Sequence, residues 1–319
     1  MSKALITGIT GFAGSYLAEH LVSTGKYEVS GTYLFEESLR NVDAVKSSLN
    51  LLKADLSDGE KVSEIVKKTS PSIIFHLAAL TSPADSFKSP TETLMNNISL
   101  QINLLEAVRK YNLLKTKILV ISSADIYGLV KKENLPIDEQ TPMTPTSPYS
   151  VSKIAQDFLG LTYFLSYKLK IVRMRPFNHI GPRQSPNFVV STFAKQIAEI
   201  EKNKREPILH AGNLDTKRDF TNVKDIVRAY ALAVEKGVDG EAYNIGTGTS
   251  HKISDILNRL VSMSSKNIKI KKEKSLFRPS DNPELLCNAD KFRKLTDWKP
   301  EISIDTTLND TLDYWRKMI

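Results

Sequence analysis

Tyr149 and Lys153 stand four residues apart in the segment Y-S-V-S-K. On a helix that spacing puts both side chains on one face, within a few ångströms of each other. An ammonium beside a phenol favours the tyrosinate, so the spacing predicts a Tyr149 pKa drawn down from its ordinary value of about 10 toward the range of proton transfer. Tyr149 is then a candidate general acid or base. The plainer alternative is a helix that opens after Pro148 and carries a tyrosine in its first turn. Ser123 ends the apolar run K-I-L-V-I-S, so its hydroxyl emerges at the carboxyl end of a strand, where it could bond a sugar hydroxyl or a ketone. A simple strand-end cap would have the same pattern.

These groups need a cofactor to do redox chemistry, and the amino terminus offers a place for one. Residues 4 to 14 read A-L-I-T-G-I-T-G-F-A-G, an apolar run, three glycines and then the apolar-periodic stretch Phe12 to Leu21. The pattern predicts a strand, a tight turn and a helix, the order a dinucleotide pyrophosphate requires. Gly8 permits the turn, Gly11 lets backbone N-H groups reach phosphates, and Gly14 lets helix and strand pack closely.

Apolar runs at Ala4 to Thr7, Tyr27 to Tyr33, Leu49 to Ala54, Ile73 to Leu77, Lys117 to Ser122 and Ile171 to Arg175 alternate with helical patterns at Gly59 to Lys68, Asn97 to Tyr111 and Tyr149 to Tyr167. That alternation predicts an α/β fold, a doubly wound parallel sheet of Rossmann type over residues 1–177. Residues 178–319 are expected to form mainly a smaller α/β substrate lobe, with some segments returning to the first domain. Ligands of open α/β sheets bind outside the carboxyl ends of the strands, which places Gly8, Ser122, Ser123 and the loop after Arg175 around one crevice.

The 319 residues carry a formal charge of +8, which first suggests an anionic partner such as nucleic acid. The densest basic segment, Lys266 to Lys274, alternates polar and apolar residues without interleaved aromatics, so it reads as a solvated edge strand. Neither nucleic acid nor membrane is an expected partner, since no apolar segment is long enough to span a bilayer. Histidines at 20, 76, 179, 210 and 251 form no close pair, and no metal site is expected. A first strand beginning at Lys3 and the single Cys287 fit a cytoplasmic protein without an internal disulfide.

Taken together, the glycine loop, Asp55-Leu56 after the third strand, Ser123 and Tyr149/Lys153 resemble the extended short-chain dehydrogenase/reductases, the NAD-dependent epimerase/dehydratase family, over essentially the whole chain. The resemblance implies that Thr10 and Phe12 join the glycine loop and that Asp55 and Leu56 bracket the adenine. It also implies that Leu77, Ala78, Ala79, Ser122 and Pro176 line the cofactor crevice, and that Lys153 holds the nicotinamide ribose. Segments 175–189, 212–226 and 278–286 look like those of GDP-4-keto-6-deoxymannose reductases and GDP-mannose 4,6-dehydratases. By that likeness Asn178 and Lys195 would contact the sugar or diphosphate, Arg218 and Arg278 would clamp phosphates, and Asp281 would accept from a ribose hydroxyl. Guanidinium forks and carboxylates suit these roles, although each arginine alone could be a surface ion pair. A homodimer built on two helices per subunit is also implied.

The segment S-S-A-D-I-Y-G at 122–128 bears on the reaction. Related dehydratases place a glutamate where Asp125 stands, and a carboxylate one methylene short weakens C5 proton removal. Asp125 is a candidate catalytic and substrate-binding residue, or a loop carboxylate. Ser123 and Tyr149 would serve a reductase, delivering a proton to O4 of a GDP-linked 4-keto-6-deoxyhexose. The alternatives are a 4,6-dehydratase or 4-epimerase that recycles its bound cofactor, and a catalytically silent nucleotide sensor. The end of the second strand, G-T-Y-L-F-E-E, carries neither a strand-end acid nor an arginine, so NAD and NADP are not separated; Glu36 and Arg40 are the nearest candidates to read the ribose.

Overall fold

The computed structural model describes residues 1–277 and 282–319. The first half runs β1 (Ser2–Thr7), α1 (Phe12–Thr24), β2 (Tyr27–Tyr33), β3 (Leu49–Lys53), α2 (Gly59–Thr69), β4 (Ile73–His76), α3 (Pro83–Ser86), α4 (Pro90–Lys110), β5 (Lys117–Ile121), α5 (Pro148–Tyr167) and β6 (Lys170–Pro176). Then come β7 (Asn178–Ile180), α6 (Val189–Glu201), β8 (Ile208–Ala211), β9 (Lys217–Asn222), α7 (Val223–Lys236), β10 (Ala242–Ile245), β11 (Ser250–Lys252), α8 (Ile253–Ser262), β12 (Lys269–Lys272), β13 (Glu284–Leu285), α9 (Asp290–Thr296) and α10 (Ile304–Met318).

Seven parallel strands form one sheet in the order β10-β6-β5-β4-β1-β2-β3. The strand order reverses at β1, which lies between β2 and β4, so the turn after β1 opens at the topological switch point. One face of the sheet buries Leu17, Leu21, Ile226 and Tyr230 from α1 and α7. The other buries Val62, Val66, Leu104, Val108 and Tyr163 from α2, α4 and α5. Strands covered on both faces read as continuous apolar runs, which is why the sequence shows them so clearly.

A second sheet has the order β11-β9-β13, with β7 also pairing β9, and β8 pairs with β12. Ile197, Leu257, Leu308 and Leu312 from α6, α8 and α10 pack into its core. All four residues of β12 are exposed, the solvated strand face that the Lys266 to Lys274 alternation predicts. Within the second half, α7 packs on α1 and β10 pairs with β6, so this stretch belongs to the first sheet.

Local chemistry sets the element boundaries near the cleft. Ser147 caps α5, its hydroxyl accepting from the Ser150 N-H at 3.1 Å, and Pro148 takes the first helical position, where a missing N-H does no harm. Tyr149 therefore falls in the first turn and Lys153 one turn below it. Ser123 similarly caps the short 3-10 turn Ala124–Tyr127 by accepting from the Asp125 N-H at 3.1 Å.

Candidate active site

The turn after β1 is built for close approach. Gly8 takes a φ of +69°, and a Cβ there would lie 3.1 Å from the Ala78 backbone. A Cβ on Gly14 would be driven into the Gly8 carbonyl oxygen. Gly11 caps α1 without a side chain, so no cap occupies the first-turn N-H groups and they are left for a ligand. Thr7 ties the loop to β4: its hydroxyl oxygen accepts from the Leu77 and Ala78 N-H groups, each at 3.1 Å.

These residues open onto a cavity of about 580 Å³. Every residue the resemblance assigns to the cofactor lines it: Gly8, Thr10, Gly11, Phe12, Gly14, Asp55, Leu56, Leu77, Ala78, Ala79, Ser122, Tyr149, Lys153 and Pro176. Ser123, Asp125 and Asn178 line it too, and the buried Asn178 Oδ1 has no hydrogen-bond partner within the protein. Asp125 continues into a narrow pocket of about 30 Å³ that it shares with Arg218, Ser150 and Asn282. Arg218 is nearly buried there and donates to the carbonyls of Lys217 and Asn282 at 2.8 and 2.7 Å.

Tyr149, Ser123 and Lys153 meet at the floor of the cleft. Ser123 and Tyr149 face each other across the cavity wall that both line. Burial lifts the Tyr149 phenol above its usual range, the Asp125 carboxylate lifts it further, and the nearby Ser123 hydroxyl pulls the other way. This reverses the expected lowering by Lys153, and geometry gives the reason. The Lys153 ammonium lies 6.0 Å from the Tyr149 ring centroid and donates instead to the Ile121 carbonyl at 2.9 Å and Gln156 Oε1 at 2.8 Å. Burial pushes Lys153 down to about 7, and the same cause, with Lys153 nearby, pushes His76 down to about 3.

Lys195 stands apart from the other described substrate candidates. It is absent from both pocket walls, standing 3.6 Å from Glu199 on α6 with its ammonium over the Trp315 ring. Helical periodicity identifies the helix but not which neighbour its polar face meets. Arg278 and Asp281 lie outside the described residues.

Several lining residues have no role in the sequence reading. Arg183, from the loop N-H-I-G-P-R, lines the cavity, donates to Ser15 Oγ at 3.2 Å and Glu19 at 2.6 Å, and packs 4.5 Å over the Tyr16 ring. Ser38 and Asn41 brace Thr10 at 2.7 and 2.9 Å. Tyr230 reaches the cleft from α7, where nothing local marks it. His179 lines the cavity as well and stacks on Phe12 with centroids 5.7 Å apart.

A seven-stranded parallel sheet, a glycine turn at its switch point and a Ser-Tyr-Lys cluster below it define a dinucleotide-binding α/β fold arranged for proton and hydride transfer. The chain belongs to the GDP-mannose 4,6 dehydratase family, which it matches over residues 5–311. A GDP-6-deoxy-D-mannose reductase from Pseudomonas aeruginosa is 30% identical over 317 residues, 99% of this chain and 98% of the relative. The solved structure of RMD from Pseudomonas aeruginosa complexed with NADPH is similar with a TM-score of 0.86 and 28% identity, covering 100% of both chains. The Thermus thermophilus UDP-glucose 4-epimerase complex with NAD gives a TM-score of 0.87 at 28% identity, over 99% of this chain and 100% of that one.

Proposed function

We propose that this protein is an NAD(P)H-dependent reductase that converts a GDP-linked 4-keto-6-deoxyhexose to the corresponding 6-deoxyhexose. The observation that carries the reading is a buried Tyr149 beside Ser123 in a cleft whose glycine turn has room only for backbone. A phenol kept protonated by burial is an acid ready to meet an alkoxide. When bound, the nicotinamide supplies the hydride. Tyr149 gives its proton to O4, and Ser123 holds that oxygen in place. Lys153 supports the charge that develops and meets the cofactor's ribose. Asn178, with its unpartnered amide oxygen, and Arg218 serve the sugar diphosphate.

Asp125 carries the second reading. Its carboxylate acts on Tyr149 from the mouth shared by the two pockets, where a dehydratase would need a base. A dehydratase or epimerase returns the hydride within each turnover. Purified protein, GDP-4-keto-6-deoxymannose and NADH or NADPH therefore separate the readings by absorbance, with UDP- and dTDP-linked ketosugars as controls. Stoichiometric oxidation supports the reductase, and its absence with every pair supports the recycling enzymes.

We also propose a homodimer. Val151, Phe158 and Leu165 recur every seven residues on α5 and are 44, 46 and 56% exposed, with exposed Met95 on α4. A Phe158→Glu variant that still elutes as a dimer would overturn this. We place the protein in the cytoplasm, where a reduced, buried Cys287 is at home.

A further inference from the structure

Lys153 is a buried cation without a carboxylate partner. No ion pair joins it among the described residues, and two of its three N-H groups go to neutral acceptors, the Ile121 carbonyl and Gln156 Oε1. The other groups around it offer no counter-charge. Thr7 Oγ1 already accepts from two N-H groups, so its own proton goes to His76 Nδ1 at 2.9 Å, and His76 keeps its proton on Nε2. His76 therefore gives Lys153 no acceptor. Tyr149 and Tyr230 are protonated by burial, and Asp125 acts on Tyr149. Asp157, one helical turn below Lys153, is committed to Arg173 and Arg175.

Among the described residues, Gln156 is thus the one side chain that accepts from the ammonium. It is buried and lies three residues after Lys153 on α5, where Gln101 Nε2 donates to its main-chain carbonyl at 2.7 Å and holds that turn of the helix. The remaining Lys153 N-H is left for the cavity that Lys153 lines.

We propose that Gln156 is the positioning residue of this active site, a neutral tether that aims Lys153 at the cofactor and sets its proton affinity. An amide acceptor stabilises the ammonium less than a carboxylate would, so Lys153 stays poised between its two forms near neutral pH. The proposal deepens the reductase reading, but its first test uses neither substrate nor cofactor.

Lysine ε-carbons labelled with ¹³C report each ammonium's titration, and the resonance missing from Lys153→Met assigns the site. In cofactor-free protein the Lys153 midpoint should rise by more than about one pH unit in Gln156→Glu and fall in the near-isosteric Gln156→Met. Gln156→Met should also weaken NADH or NADPH binding by about tenfold, read by nucleotide fluorescence, and shift the alkaline limb of kcat to lower pH. A folded pair of variants, verified by thermal unfolding, whose Lys153 midpoint matches the wild type overturns the proposal. Failure of the ketosugar assay leaves the titration result standing, so the two readings fall separately.

Discussion

The Asp157 carboxylate is held between two guanidinium groups of one strand, 2.5 Å from Nη1 of Arg173 and 2.9 Å from Nε of Arg175. All three side chains are buried, and Arg175 goes on to donate to the Tyr127 hydroxyl at 3.0 Å and the Glu139 carbonyl at 3.2 Å. The helix that carries Tyr149 and Lys153 is thereby locked to β6 and to the loop that carries Ser123. Removing one partner strands a buried charge. Asp157→Ala should cost about 3–5 kcal/mol in urea unfolding, and a loss below about 1 kcal/mol would refute the lock.

The same residue gives a pH signature. Burial alone would raise the Asp157 carboxyl, but Arg175 and Arg173 outweigh it and hold the group below the usual carboxylate range. A carboxylate lowered by folding adds stability that is present above its unfolded value of about 3.9 and is lost as pH falls through the folded value. Acid unfolding below about pH 4 should be less steep in Asp157→Asn than in the wild type.

Lys153 makes an opposite prediction. Folding lowers it from 10.5 to about 7, so the unfolded chain binds its proton more tightly and the penalty grows as pH falls from 10.5 to 7. Lys153→Met should raise the unfolding midpoint of cofactor-free protein by at least about 2 °C at pH 7, with the gain fading toward pH 10.5, while turnover is lost. An unchanged midpoint at neutral pH would contradict the burial.

Tyr149→Phe removes the proton donor and leaves the ring. Reduction of the ketosugar should slow by about 100- to 10,000-fold with nicotinamide affinity little changed. Full turnover would remove Tyr149 from the mechanism.

Gly14→Ala tests the packing of α1 on the turn after β1. The added methyl meets the Gly8 carbonyl, so the loop must shift, and dinucleotide affinity measured by calorimetry should drop by about ten- to a hundredfold.

Features with a local cause are legible in the sequence. The strand Tyr27–Tyr33 matches its sequence pattern to the residue because Gly25 ends the preceding helix and the aromatic and β-branched residues at 27, 29, 32 and 33 favour extended backbone. Helical spacing pairs Tyr149 with Lys153 correctly but misjudges their electrostatics, because the direction of a lysine depends on acceptors such as the Ile121 carbonyl and Gln156, and the first of these lies elsewhere in the fold. The neighbours of Lys195 are equally invisible in a window of sequence, since Trp315, whose ring its ammonium covers, is 120 residues away. Tyr230 and Arg183 reach the cleft through contacts across long stretches of chain, which no window of sequence reveals.

The placement of β10 matters during synthesis. Until Ile245 has been made, β6 is the open margin of a nearly finished sheet, with the Arg173 and Phe177 N-H groups still waiting for the carbonyls of Glu241 and Ile245. The apolar face of α1 waits equally for α7. A nascent chain paused between β6 and α7 thus presents both a sticky strand and a bare helix face, the pairing that recruits other chains. Pausing over that stretch should therefore lower the folded yield even where final stability is unchanged.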